Sequence, residues 1–246
     1  MKKLATVIII IGILVMSYPV IGKFYQQWQE NKLMEDWYNS EDAASAEAAA
    51  TSGVNPEEAY GQLRDAFSAD ARDNTGEEPS TATIKTSAGS DKTADSTAAA
   101  VKSSAKVQTQ NVLGIIKIDK IKIKYPVVEG VKPGNISKAI GHVPGTAGLG
   151  QPGNCALAGH RNYTFGRFFN RLDEVKVGDS ISITTKKAEF RYKVYEKFVV
   201  EPDDVSVLKE VKDDTVLTLI TCTPIYVATH RLIVRARLEG KTLLEP

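Results

Sequence analysis

The sequence predicts a mainly β globule, folded as a closed or nearly closed barrel with short helices, behind a transmembrane helix and a flexible spacer. Three observations lead there. Residues 4–22 form an uncharged, almost unbroken apolar run. Residues 30–110 carry 7 basic and 15 acidic side chains, whereas residues 111–246 carry 21 basic and 15 acidic, so an acidic spacer precedes a mildly basic domain. From residue 111 the texture becomes short period-two strands with closely spaced turn signals, the pattern of a barrel rather than a parallel sheet. The overall net charge of +1 selects no partner. Two cysteines exclude a disulfide-rich scaffold and an all-cysteine zinc site, and three histidines leave few acid–base candidates.

Lys2 and Lys3 make residues 1–3 a cytoplasmic tip. Residues 4–22 suffice to cross a bilayer at ~1.5 Å per residue, and the flanking lysines place everything after them outside. A cleaved signal peptide is the rival reading. It is disfavoured because Tyr18, Pro19 and Val20 stand where small residues would border a cut. Residues 23–110 read as an extracellular spacer, partly helical and then disordered. Its first aromatics, Phe24, Tyr25, Trp28 and Trp37, suit a headgroup layer. Asn55 and Pro56 have the residue types of a helix cap and first position. Tyr60, Leu63 and Phe67 would share one face of that helix, too small to build a core, so it reads as solvated. From Ser68 to Gln110 the chain is mostly Ala, Ser, Thr, Asp and Lys, which cannot offset its ordering entropy and reads as a tether.

Residues 111–246 form the predicted folded domain. Ile116 and Ile118, then Ile121, Ile123 and Tyr125, alternate with charged residues around Asp119-Lys120, predicting a hairpin. A helical turn is expected over 135–140 and a small-residue strand over 155–158. Further strands are expected over 179–183, 190–200, 216–222 and 232–238. Basic residues are scattered, without interleaved aromatics, which argues against nucleic-acid binding.

Chemistry is sought among thiols, imidazoles and nearby cations. Cys222 ends an apolar strand just before Pro224, where a substrate could reach it. Period two groups Thr218, Ile220 and Cys222 on one face, and Leu217, Leu219 and Thr221 on the other. Arg231 opens the next strand, so antiparallel pairing would bring it to the same sheet end. A cation there favours thiolate and can donate to an oxyanion. His160 follows Ala158-Gly159, whose glycine permits unusual backbone angles or close approach. His142 and His230 compete with it, and residue patterns alone leave the three tied.

Ala158-Gly159-His160, Thr218-Leu219-Ile220-Thr221-Cys222 and Arg231-Leu232-Ile233-Val234 together resemble the signatures of the sortase family. The resemblance runs from about Leu113 to Leu238. It implies an eight-stranded sortase-type barrel with a catalytic set of His160, Cys222 and Arg231. The chain looks most like class D, with class A as runner-up. No lid with an Asp-Pro-Trp pattern precedes the domain, which disfavours the pilin-polymerising type. The implied activity is that of a membrane-anchored cysteine transpeptidase of the Gram-positive cell wall. It would cleave an LPXTG-like sorting signal after Thr and pass the acyl group to a cell-wall amine. Its partners would be sorting-signal-bearing surface proteins and a cell-wall precursor amine. The rival functions are a secreted cysteine endopeptidase and a non-catalytic tethered binding module.

The resemblance also makes Cys155 a reduced, packed thiol. Val205, Val207 and Leu208 are candidate contacts for the signal's Leu and Pro. No cofactor is expected. Glu201, Asp203, Asp204, Asp213 and Asp214 cluster in sequence, where a calcium site competes with solvated loop charge as the preferred reading.

Overall fold

The fold is a computed structural model describing residues 28, 31–39, 54–73, 112–161, 167–225 and 227–244. The apolar run over 4–22 and most of the spacer lie outside these residues. Among the described residues, no helix is long and apolar enough to cross a membrane.

Eight strands close into a barrel: β1 (Val112–Ile118), β2 (Ile123–Glu129), β3 (Ile140–His142), β4 (Gly153–Ala158), β5 (Ser180–Thr184), β6 (Ala188–Val200), β7 (Thr215–Thr223) and β8 (His230–Leu243). Their order around the barrel is β1-β2-β3-β4-β7-β8-β6-β5. The Asp119-Lys120 turn is a short 3-10 segment, Asp119–Ile121, closed by Lys122 in the left-handed region at φ 55°. Most pairings are antiparallel, but β2 with β3 and β4 with β7 are parallel, so the closed barrel is a mixed one. The helical turn expected over 135–140 is shorter and earlier, at α2 (Pro133–Ile136), because Ile140 already pairs with Val127 in the sheet.

Period two sorts the side chains into two apolar layers. Cys155 and Leu157 of β4, Leu217 and Leu219 of β7, and Leu232, Val234 and Ala236 of β8 fill the barrel with Phe168, Phe169 and Tyr192. Their alternates, Ala156, Ala158, Ile220, Cys222 and Ile233, line a second layer outside the barrel wall.

That second layer is covered by α1 (Pro56–Asp73). Asn55 starts the helix, its Oδ1 accepting from Glu57 N at 3.0 Å. The sequence expectation of a solvated helix ending near Ser68 is corrected on both counts. The helix runs to Asp73, and Ala59, Tyr60, Leu63, Ala66 and Phe67 are all buried. The face was too small for a core of its own, but it completes one supplied by Val131, Ile136, Val207, Leu208, Ile220 and Ile233. Burying one Leu or Phe contributes ~1.5–3 kcal/mol, so this stripe is a substantial docking surface. Trp37, expected at a headgroup layer, is likewise buried, with the Lys186 ammonium of the β5–β6 turn 4.5 Å from its ring centre.

Candidate active site

The site lies on the outer face of β4, β7 and β8, at one end of the barrel wall. Cys222 and Arg231 are direct cross-strand partners in the β7–β8 ladder. Parallel pairing of Ala158 with Ile220 continues as a Gly159 N to Ile220 O bond of 3.1 Å, bringing His160 level with Cys222. The sequence expected these three residues near one sheet end, and the register brings them there.

Local packing explains the sequence around them. Gly159 has no positive φ, and close approach is its reason. A Cβ there would stand 2.7 Å from Ile140 Cδ1 and 2.9 Å from Phe169 Cδ2. The Thr221 hydroxyl donates to Gly159 O at 2.7 Å, tying the residue before Cys222 to the residue before His160. The Thr218 hydroxyl donates to Asn154 Oδ1 at 2.6 Å. Asn154 Nδ2 in turn donates to Val207 O at 2.9 Å and Lys209 O at 3.1 Å. Asn154 thereby fastens the 3-10 segment Val205–Leu208 to the wall. Val207 and Leu208 are buried against the outer layer, while Val205 is exposed.

Arg161 was not singled out in the sequence, although it adjoins His160. Its Nη1 donates to Thr223 Oγ1 at 3.0 Å, and its Nε to Asn170 O at 3.2 Å. Its Nη2 pairs with Asp173 Oδ1 at 2.8 Å. One buried guanidinium thus braces the residue after His160 to the residue after Cys222. Arg231 Nη1 donates to Ala228 O at 3.1 Å and His230 O at 3.0 Å, holding its head at the strand mouth.

The other two histidines have different surroundings. His142 is buried, its Nδ1 donating to Glu129 Oε2 at 2.8 Å and its Nε2 to Ala147 O at 2.9 Å. A ring that donates from both nitrogens is an imidazolium. Burial opposes that charge, but the Cys155 sulfur and the Glu129 carboxylate outweigh it and push the ring up to about 10. His230 is half exposed and sits 3.3 Å from Glu201. Cys155 is a free, buried thiol in the barrel interior.

The acidic stretch is dispersed among local tasks. Asp204 accepts from Ser206 N at 2.9 Å, Asp214 pairs with Arg237, and Glu201 pairs with His230. Among the described residues, no three His, Cys, Asp or Glu converge on a point that could hold a metal ion.

Sequence reading expected an open mouth, and the structure corrects that. His160, Cys222 and Arg231 are only 5%, 8% and 4% exposed. Phe67 of α1 stands edge-on to the His160 ring, centroids 5.5 Å apart, and the Arg231 guanidinium carbon lies 5.1 Å from the Phe67 ring centre. Tyr60, also on α1, is buried in the same outer layer as Cys222.

An eight-stranded closed barrel with a cysteine, a histidine and an arginine on neighbouring strand ends defines a sortase-type architecture. The sortase domain family model matches residues 116–239, half of the chain, and the chain belongs to the sortase family. It is similar to sortase D of Bacillus subtilis, 31% identical over 123 residues, covering 50% of this chain and 60% of that protein. Among solved structures, sortase C1 of Streptococcus agalactiae is 36% identical with a TM-score of 0.51, covering 55% of this chain and 70% of that one. Sortase C-1 of Actinomyces oris is 30% identical with a TM-score of 0.51, covering 52% and 72%.

Proposed function

We propose that this chain is a membrane-anchored cysteine transpeptidase of the class D kind, with Cys222 as nucleophile. It cleaves an LPXTG-like sorting signal after Thr and transfers the upstream protein to a cell-wall amine. The observation that carries the reading is the pairing of Cys222 with Arg231 beside His160, in a chain of the sortase family. Similarity to a sortase D supports the class.

In this mechanism the Cys222 thiolate adds to the Thr carbonyl carbon, and Arg231 donates to the oxyanion or to the substrate backbone. As the tetrahedral adduct collapses, the C–N bond breaks and His160 protonates the departing amine. A thioester on Cys222 remains. The incoming amine attacks it, gives its proton to His160, and forms the new amide as the thiolate leaves. Val207 and Leu208 supply an apolar wall for the signal's Leu and Pro. Residues 4–22 anchor the chain with residues 1–3 inside and the barrel outside the cell.

The test is turnover of a panel of sorting-signal peptides by the full chain, with and without an added amine. Transpeptidation predicts an amine-dependent ligated product that vanishes in Cys222→Ala. Equal release with and without amine would make the chain an endopeptidase, and unchanged turnover in Cys222→Ala would reject Cys222 as the nucleophile.

A further inference from the structure

The wall of the barrel farthest from Cys222 carries a row of cations. We propose that this wall, spread over β2, β1, β5 and β6, docks on an anionic lipid bilayer and sets which way the barrel faces. The bilayer as partner rests on the reading of residues 4–22 as an anchor; the cationic wall does not.

Register builds the row. Lys117 of β1 stands opposite Lys124 of β2 on one side and Ser182 of β5 on the other, and Ser182 stands opposite Arg191 of β6. Directly paired residues project from the same side of a sheet. Their alternates Ile116, Ile118, Tyr125, Ile183 and Tyr192 fill the barrel, so the row faces out. Lys193, two residues beyond Arg191, extends it. Lys117, Lys124, Arg191 and Lys193 are all exposed. Acidic side chains on this wall are fewer. Asp119 is bound to Lys117 at 2.8 Å and Glu239 to Lys193 at 3.3 Å, and Glu189 lies one alternation before Arg191. Around the ring of eight strands, β1 is four places from β7 in either direction, so the row and Cys222 occupy opposite walls.

An aromatic clasp joins the N-terminal segment to the same wall. Residues 31–39 are helical. The Lys186 ammonium lies 4.5 Å from the Trp37 ring centre and donates to Tyr38 O at 3.4 Å, while the Lys124 ammonium lies 5.5 Å from the Tyr38 ring centre. Trp37 is buried there, whereas Trp28 and Tyr38 are each 55% exposed. Half-exposed aromatics beside lysines are the side chains that suit a lipid headgroup layer. Six residues carry the chain from Gly22 to Trp28. At ~3.3 Å per residue their full length is no more than ~20 Å, so a bilayer holding residues 4–22 lies close to the clasped wall. Anionic headgroups attract each cation near the surface, over a screening length of ~8 Å at physiological salt. The cationic wall is drawn to such a bilayer, and the β4–β7–β8 wall with Cys222 is turned away from the lipid.

The test uses the full chain in vesicles of phosphatidylcholine, alone or in an equimolar mixture with phosphatidylglycerol. A membrane-impermeant reagent acetylates exposed lysines, read by peptide mass spectrometry, and flotation reads vesicle binding. Lys124 should react at least threefold more slowly in the anionic vesicles than in the neutral ones. Lys209 and Lys212, exposed in the connection that packs beside the opposite wall, should stay within twofold. Combining Lys117→Gln, Arg191→Gln and Lys193→Gln removes exposed charge only, and should bring the Lys124 rates in the two lipids within twofold of each other. Equal wild-type rates in both lipids, protection of Lys124 that persists in the variant, or equal protection of Lys209 overturns the proposal. Flotation separates the two readings. A chain that floats with both vesicles and shows no lipid dependence at Lys124 keeps the anchor and loses the wall. A chain that floats only with anionic vesicles, and is released by high salt and by the triple variant, keeps the wall and loses the anchor.

Discussion

His142 offers a quantitative check on its role as a buried structural cation. Its ring is pushed up from the ordinary 6.5 to about 10 in the folded barrel, against burial, by Cys155 and Glu129. A raised folded value means that the stabilisation is fully present below pH 6.5 and is lost as pH rises toward 10. Across that window one extra proton is held by the folded state, giving a slope of about 1.4 kcal/mol per pH unit. Between pH 6 and pH 8 the loss is about 2 kcal/mol, a large share of a typical domain's ~5–15 kcal/mol. At a urea m-value of ~1–3 kcal/mol/M it moves the unfolding midpoint by about 1 M. The assay is urea unfolding of wild type and His142→Gln at half-unit steps from pH 6 to 9.5. Groups that do not touch His142 cancel in the difference, which leaves the ring together with its partners Glu129 and Cys155. The stability advantage of wild type should shrink steadily with pH. Parallel curves for the two chains would show that the ring is neutral in the fold, and the assignment of both donors would be wrong.

Two further variants probe the supports of the site. Arg161→Met cuts the brace to Thr223 and Asn170, and should lower kcat at least tenfold with KM within twofold, while Arg161→Lys recovers part of the loss. A raised KM with unchanged kcat would place Arg161 in substrate binding instead. Asn154→Ala strands Val207 O, Lys209 O and the Thr218 hydroxyl. At ~1–3 kcal/mol per buried unpaired group, partly relieved by relaxation, stability should fall by about 2–4 kcal/mol and KM should rise as the Val205–Leu208 wall loosens. Asn154→Asp keeps the Thr218 acceptor but turns a charge on two carbonyls, so wild-type stability in that variant would refute the account.

What the sequence disclosed followed from periodicity. Alternation along 215–222 and 231–238 separated Leu217, Leu219 and Val234 from Ile220, Cys222 and Ile233, because a strand's period is fixed at two, and the structure turns the first set into the barrel. The same alternation stopped at Leu238, yet β8 continues to Leu243, since its exposed end is held by backbone pairing with β6 and not by burial. Strand β3 has only three residues and leaves no readable pattern. The roles of Asn154 and Arg161 were hidden because Thr218 and Thr223 lie 64 and 62 positions away. The stripe Tyr60, Leu63, Phe67 was legible as a helix face, but the surface it covers is assembled from residues 131–233, so only the folded chain reveals what it buries. Three histidines that composition could not rank are separated by surroundings: one buried between acceptors, one at the rim, and one level with the thiol.

The most direct measurement is intact and peptide-level mass spectrometry of the full chain held with a sorting-signal peptide and no amine. The account predicts one acyl adduct, ending at the signal's Thr, on Cys222, released by hydroxylamine and absent from Cys222→Ala. An adduct on Cys155, or turnover that proceeds with Cys222 unmodified and replaceable, would contradict it.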